Sequence, residues 1–263
     1  MYNTCMPKTR LDLLLVERGL ADSRAKAQAL IMAGQVRVDG QVEIKPSAQV
    51  LPGARLEVDT GPRFVSRGGE KLEAALSAFP VEVTGRVCAD VGASTGGFTD
   101  CLLQHGAARV YAVDVGKGLL DWKLRRDLRV VVMEGTNARL LASLPEVVEL
   151  VSIDASFISL RLLLPVVKGW FRAAASGEGV PPGGTHREGT VVALVKPQFE
   201  AGRKEAARGK GVIRDPAVHQ AVLKDILSFA EAQGYLLRGQ MQSPVVGPKG
   251  NIEVLVWLGI PVP

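Results

Sequence analysis

Apolar positions change their period along this chain, and the changes divide it. Between residues 8 and 34 they recur at helical spacing. Leu11, Leu14 and Leu15 share one face of a helix that Thr9 is placed to cap, that runs to about Arg18 and that Gly19 stops. Ser23 is placed to cap a second helix, with Ala27, Leu30 and Ile31 inward and Gly34 at its end. The period then falls to two. Val36, Val38 and Val42 flank the turn pair Asp39-Gly40, which predicts a hairpin, and residues 56–58 read as a closing strand. From residue 64 onward, apolar runs of strand length alternate with helical stretches. Strands are predicted over 86–91, 110–114, 129–133, 149–154, 191–196 and 252–258, with one more near 235–241. Helices are predicted over 69–79, 97–105, 117–125, 159–172 and 215–233. Such alternation builds a largely parallel sheet covered on both faces, an α/β fold, here with an antiparallel edge formed by its last two strands. A small α+β domain is thus expected over 8–59, a linker over 60–66 and a larger domain over 67–260. Residues 174–190, rich in Gly and Pro, read as a flexible insert.

Composition narrows the class. The hydrophobic share is 47%, ordinary for a globular chain, and charges interrupt every apolar stretch before it reaches membrane-spanning length. Lys8, Arg10 and Asp12 stand where the apolar core of a signal peptide would begin, so a cytoplasmic protein without a membrane anchor is expected. Cys5, Cys88 and Cys101 lack metal spacing and the three histidines are scattered, so packed thiols and no metal are expected. The net charge of +5 permits a polyanionic partner, and its distribution favours one. Lys8, Arg10, Arg18, Arg24, Lys26 and Arg37 form one basic cluster, and Arg203, Lys204, Arg208 and Lys210 a second.

The densest local signal is the run Ala89-Asp90-Val91-Gly92-Ala93-Ser94-Thr95-Gly96-Gly97-Phe98. An apolar strand enters a glycine turn and a helix leaves it, which makes a nucleotide-shaped pocket. The dinucleotide fingerprint needs glycine at position 94, which is Ser94. The pattern D-x-G-x-x-x-G-G is instead that of S-adenosylmethionine enzymes, with Gly92 through Gly97 as the cofactor turn and its glycines expected to let backbone approach the ligand. Asp114 ends the next strand about twenty residues on, where an acidic side chain takes ribose hydroxyls, and Val115 follows it.

Four charged residues fall where an apolar sheet should avoid them. Asp154 and Lys196 end predicted strands, Glu253 begins one that runs the other way, and Lys71 opens the helix before the first strand. Open sheets bind ligands beyond the carboxyl ends of their strands, so the four are expected to converge near the methyl donor. A ribose 2′-hydroxyl becomes a nucleophile when a base takes its proton. A lysine does this when desolvation or a second cation acidifies its ammonium; Lys196 is the expected base, Lys71 the second cation, and Asp154 and Glu253 the orienting carboxylates. Base methylation leaves other marks: neither Cys88 nor Cys101 follows a proline, and Asp154-Ala155-Ser156-Phe157 lacks the prolines of adenine N6 enzymes.

Two resemblances extend this reading. The run from Arg10 through Arg24, with Ala33-Gly34-Gln35-Val36-Arg37-Val38-Asp39-Gly40, resembles the S4 RNA-binding module, which implies Arg24, Lys26 and Arg37 as phosphate contacts. Residues 64–72, 92–99, 136–139, 154–160, 194–200 and 250–253 together resemble the TlyA (hemolysin A-type) family of ribosomal RNA 2′-O-methyltransferases. The resemblance implies an S4 domain joined to a Rossmann-like class I S-adenosylmethionine-dependent, FtsJ-like methyltransferase domain. It implies Lys71, Asp154, Lys196 and Glu253 as the catalytic tetrad, and a cofactor pocket that adds Ser66, Arg67, Asn137 and Asp154 to the turn. Arg63-Phe64-Val65-Ser66 would couple RNA docking to the cofactor. The substrate would be cytidine ribose in ribosomal RNA or a ribosomal subunit, the large-subunit RNA being favoured because the sequence stops soon after Trp257. A catalytically weak ribosome-assembly factor is the second reading. A pseudouridine synthase is disfavoured by the glycine turn, and a membrane-lytic protein by the absence of a span.

Overall fold

The computed structural model describes residues 7–59, 61–171, 188–202, 211–247 and 249–261. The chain forms two compact units, Met1–Arg63 and Phe64–Pro263.

In the first unit, helices α1 (Leu11–Glu17) and α2 (Arg24–Met32) bury Leu11, Leu15, Ala27 and Ile31 against Val36. Strands β2 (Val36–Val38), β3 (Gln41–Val42) and β5 (Leu56–Val58) form an antiparallel sheet in the order β3-β2-β5. Ser23 caps α2 as expected, accepting the Lys26 N–H at 3.2 Å. Thr9 does not cap α1. Thr9–Arg10 is a short strand, β1, paired with Gln49–Val50, β4, so Thr9 is held in extended backbone and the N-cap position passes to Arg10.

The second unit is built on a seven-stranded sheet. Its strands are β6 (Val87–Val91), β7 (Arg109–Asp114), β8 (Val130–Glu134), β9 (Leu150–Ile153), β10 (Gly189–Val195), β11 (Leu236–Gln242) and β12 (Val254–Ile260). They lie in the order β11-β12-β10-β9-β6-β7-β8. β10, β9, β6, β7 and β8 are mutually parallel, and β12 runs antiparallel between β10 and β11. The alternation of side chains along each strand divides the core in two. Ala89 and Val91 face a cluster with α6 (Leu160–Trp170) and α7 (Pro216–Ala232); Cys88 faces one with α3 (Gly68–Ala78) and α4 (Gly97–Gln104). Burial in that second layer pushes the Cys88 thiol up to about 12, so it stays protonated.

Four further sequence expectations are corrected. The helix over 117–125 contracts to α5, Trp122–Arg125, because the Glu134 carboxylate accepts the N–H groups of Gly118, Leu119 and Leu120 at 2.9, 2.8 and 3.0 Å and holds them in a turn. With Arg125 those bonds bring Glu134 down to about 2. The last strand starts at Val254 instead of 252, so Glu253 precedes it. Within the expected linker, Phe64 is 3% exposed, and a Cβ on Gly69 would overlap its ring. The Val65 N–H donates to Asp100 Oδ2 at 3.0 Å, so residues 64–66 pack as part of the second unit. Gly189 and Thr190, the end of the expected insert, begin β10, and residues 174–187 lie outside the described residues.

Candidate active site

Strand ends assemble the site. Asp154 follows β9, Lys196 follows β10, Glu253 enters β12 from the opposite direction, and Lys71 sits in the first turn of α3. Lys71 Nζ donates to Glu253 Oε2 at 2.7 Å and lies 3.9 Å from Asp154 Oδ2. Lys196 Nζ lies 2.5 Å from Asp154 Oδ1 and donates to the Asp154 carbonyl at 3.3 Å and Ser156 Oγ at 3.1 Å. The result is one row of alternating charge: Glu253, Lys71, Asp154, Lys196. Glu253, Lys196 and Lys71 are 1%, 6% and 8% exposed, and charges this buried persist only when paired. Two cations and two carboxylates leave the row neutral.

The glycine turn lies beside this row. Gly92 adopts φ +84°, and a Cβ there would stand 2.9 Å from both the Asp154 carbonyl and Ala155 Cα. A Cβ on Gly97 would lie 2.8 Å from the Gly69 nitrogen and overlap Ser66 Oγ; one on Gly96 would meet Leu120 and Leu124. Side chains at these positions would collide with the protein's own neighbouring backbone and side chains. Ser94 is left-handed at φ +49°, and its N–H donates to Asp114 Oδ2 at 2.8 Å, while Asp114 Oδ1 accepts the Gly116 N–H at 2.7 Å. Asp114 thus braces the turn and keeps a second lone pair on each oxygen. Beneath it, Asp90 is fully buried and accepts hydroxyl bonds from Thr99 at 2.7 Å and Ser152 at 3.2 Å. Burial pushes its carboxyl up to about 7.

A cavity of about 780 Å³ joins the tetrad to Ser66, Arg67, Gly92, Ala93, Ser94, Thr95 and Gly97. Gly96, Asp114, Val115 and Asn137 lie outside that lining. Asp114 ends β7 and Val115 follows it, 70% exposed; Asn137 follows β8 and accepts the Arg139 N–H at 3.1 Å, capping the short 3-10 turn Ala138–Leu140. The volume falls in the range of cofactor pockets. Its wall also offers Gln198 Oε1, a buried acceptor without a partner among the described residues, while Gln198 Nε2 donates to Glu253 Oε1 at 3.2 Å. An acceptor left so suits an incoming hydroxyl or ammonium, and S-adenosylmethionine carries both.

Sequence reasoning singled out neither Gln198 nor the aromatic pair Phe157 and Phe199, whose ring centroids are 5.0 Å apart at the cavity mouth. Phe157 is 91% exposed and left-handed at φ +64°, a conformation a bulky residue rarely holds. Both phenylalanines lie in motifs that carry the family resemblance, but nothing in the residue string reveals the backbone angle.

In the first unit, the basic residues divide by what they already bind. Arg10 donates to Asp12 Oδ1 and Oδ2 at 3.0 and 2.9 Å, and Arg24 Nε to Asp12 Oδ2 at 3.0 Å. Arg18 donates to the carbonyls of Ala54 and Pro52, and Arg37 to that of Gly40 at 3.3 Å. Lys8 and Lys26 are exposed. Arg203, Lys204, Arg208 and Lys210 lie outside the described residues.

Known proteins are similar to this chain. Residues 64–260 match the FtsJ-like methyltransferase model and residues 9–56 the S4 domain model. YqxC of Bacillus subtilis, provisionally named an rRNA methyltransferase, is 49% identical over 261 residues, covering 97% of this chain and 86% of its own. The 16S/23S rRNA (cytidine-2′-O)-methyltransferase TlyA of Mycobacterium tuberculosis is 46% identical over 257 residues, covering 95% and 90%. A solved structure from Streptococcus thermophilus, provisionally named a hemolysin, is 41% identical, covers 98% of this chain and 90% of its own, and superposes with a TM-score of 0.68. No helix among the described residues is long and apolar enough to cross a membrane. Fold, glycine turn and relatives agree: the chain belongs to the TlyA family of FtsJ-like methyltransferases, with an S4 domain ahead of the methyltransferase fold.

Proposed function

We propose that the protein methylates the 2′-oxygen of a cytidine ribose in ribosomal RNA, with Lys196 as general base. One observation carries the reading: Lys196 ends a neutral, buried row of four charges where it opens into the cavity that also holds the glycine turn. S-adenosylmethionine, when bound, supplies a methyl group made electrophilic by its sulfonium. Gly92 through Gly97, braced by Asp114, would hold it, with Asp114 accepting from its ribose hydroxyls. Lys196, its ammonium proton first lost to solvent at the open cavity, would take the 2′-hydroxyl proton as that oxygen accepts the methyl group. Asp154 fixes Lys196 through its carboxylate and its carbonyl, and Lys71, held by Glu253, fixes the other Asp154 oxygen. Phe157 would receive the face of the base, since stacking on an exposed ring is worth about 1–3 kcal/mol. The S4 unit would hold the RNA by its backbone and shape, with Lys8, Lys26 and the outward faces of Arg24 and Arg37 as contacts. Arg203, Lys204, Arg208 and Lys210 would add further phosphate contacts.

The test is transfer of labelled methyl from S-adenosylmethionine to unmodified large and small ribosomal subunits, each assayed alone. Ribose methylation is mapped by resistance to alkaline cleavage. A 2′-O-methylcytidine, expected first in the large-subunit RNA, supports the reading. No transfer to either particle or to naked RNA, despite cofactor binding, overturns it in favour of an RNA-binding assembly factor.

A further inference from the structure

We propose that Glu73, Cys101 and His105 form a binding site for a zinc-class divalent cation, on the side of the α3–α4 helix pair away from the cofactor turn. Nothing in the spacing of cysteines and histidines along the chain suggests it. The fold creates it. Cys101 lies in α4 and His105 caps that helix four residues later, so both project from one face, while α3 brings Glu73 against them. His105 Nε2 lies 3.0 Å from Glu73 Oε2, and the Cys101 sulfur 3.8 Å from the same oxygen. All three ligand atoms fall within 4.8 Å of one another.

The donor chemistry selects the ion. A thiolate, an imidazole and a carboxylate are the ligand types of zinc, with bonds of about 2.0–2.3 Å, so donors around one tetrahedral ion stand about 3–4 Å apart. Two of the three separations are already in that range, and a small side-chain rotation closes the third. The charge also balances. A thiolate and a carboxylate offset a divalent cation, which allows the buried Cys101 to exchange its proton for metal, the proton leaving to solvent. His105 and Glu73 keep 24% and 23% of their side chains exposed, which provides an entry path and a fourth position for water.

The site would tie together two helices whose N-terminal turns carry Lys71 and Gly97. A bound ion would therefore stiffen the scaffold of the active site from behind, without touching substrate. Because it binds only the folded arrangement, it would also raise the melting temperature, by an amount that grows with the logarithm of its free concentration above Kd.

Cobalt(II) titration of the reduced, metal-free full chain tests this directly, since a cobalt–thiolate bond gives an intense near-ultraviolet charge-transfer band. The expected result is saturation at one equivalent, displacement by zinc, and loss of the band in Cys101→Ser. His105→Ala and Glu73→Gln should weaken cobalt binding by about tenfold or more, in proteins whose unfolding stays cooperative. His105→Ala guards the test, since a partly exposed helix-end residue is replaced with little risk to folding. A titration without the band, or a band that survives in Cys101→Ser, overturns the proposal.

Discussion

Each of the two units buries a carboxylate among cations, and they do so to opposite ends. In the first, Asp12 is fully buried and accepts from Arg10 through both oxygens, from Arg24, and from Gln28 at 2.8 Å. Arg10 and its companions hold its carboxyl far below the usual range. The network is closed: its cations reach outward to solvent and its anion is saturated. In the second, Asp154 is shared by two lysines, and the row ends on Lys196 at an open cavity. A saturated carboxylate fixes two helices, whereas one bracketed by lysines and opened on one side can pass a proton. The residue types are nearly the same; what differs is whether the network ends inside the protein or at a void.

That contrast is open to attack. The largest effect is expected from Lys196→Met, which keeps volume and removes the amine. Methyl transfer to ribosomal RNA should fall by about a thousandfold while cofactor binding holds. Retention of rate would show that the open end of the row does no chemistry. Next is the double substitution Arg10→Gln and Arg24→Gln, which strips the closed network and leaves Asp12 buried with Gln28 alone. It should destabilise the first unit by about 3 kcal/mol in denaturant unfolding, while leaving cofactor affinity unchanged. A loss well under 1 kcal/mol would mean that Asp12 is not structural.

A further prediction concerns Asp90. Its ordinary carboxyl value is 3.8 and its folded value about 7, so between those limits the folded chain keeps a proton that the unfolded chain has lost. Stability therefore declines as pH rises through that window, and Asp90→Asn should remove this part of the slope. An unaltered slope in the asparagine variant would assign it to other groups.

The strand–helix alternation, the glycine turn and the antiparallel edge are legible in the sequence because each depends on local period or on residues of special backbone freedom. The approach of Lys71, Asp154, Lys196 and Glu253 follows once each is assigned to a strand end or a helix start. What escapes is side-chain competition across distance. Glu134 captures three N–H groups and shortens a helix from fifteen residues away. Asp12 claims two arginines that patterning offers to RNA. The pairing of Thr9 with Val50 displaces a cap that Thr9 was suited to provide. Glu73, Cys101 and His105 meet because two helices pack side by side, which no spacing rule within one of them contains.

The reversed strand β12 has a consequence in time. Lys71 and Glu253 are bonded across 182 positions of sequence, so Lys71 waits for the chain to reach the last described strand. Non-local pairs of this kind close late, because the long loop between them must be ordered first. The S4 unit, complete within its first sixty or so residues, has no such wait. During synthesis the S4 unit, about a quarter of the chain, can take shape before the charge row has assembled, so on the proposed function recognition would be the older event and chemistry the younger in the life of every molecule.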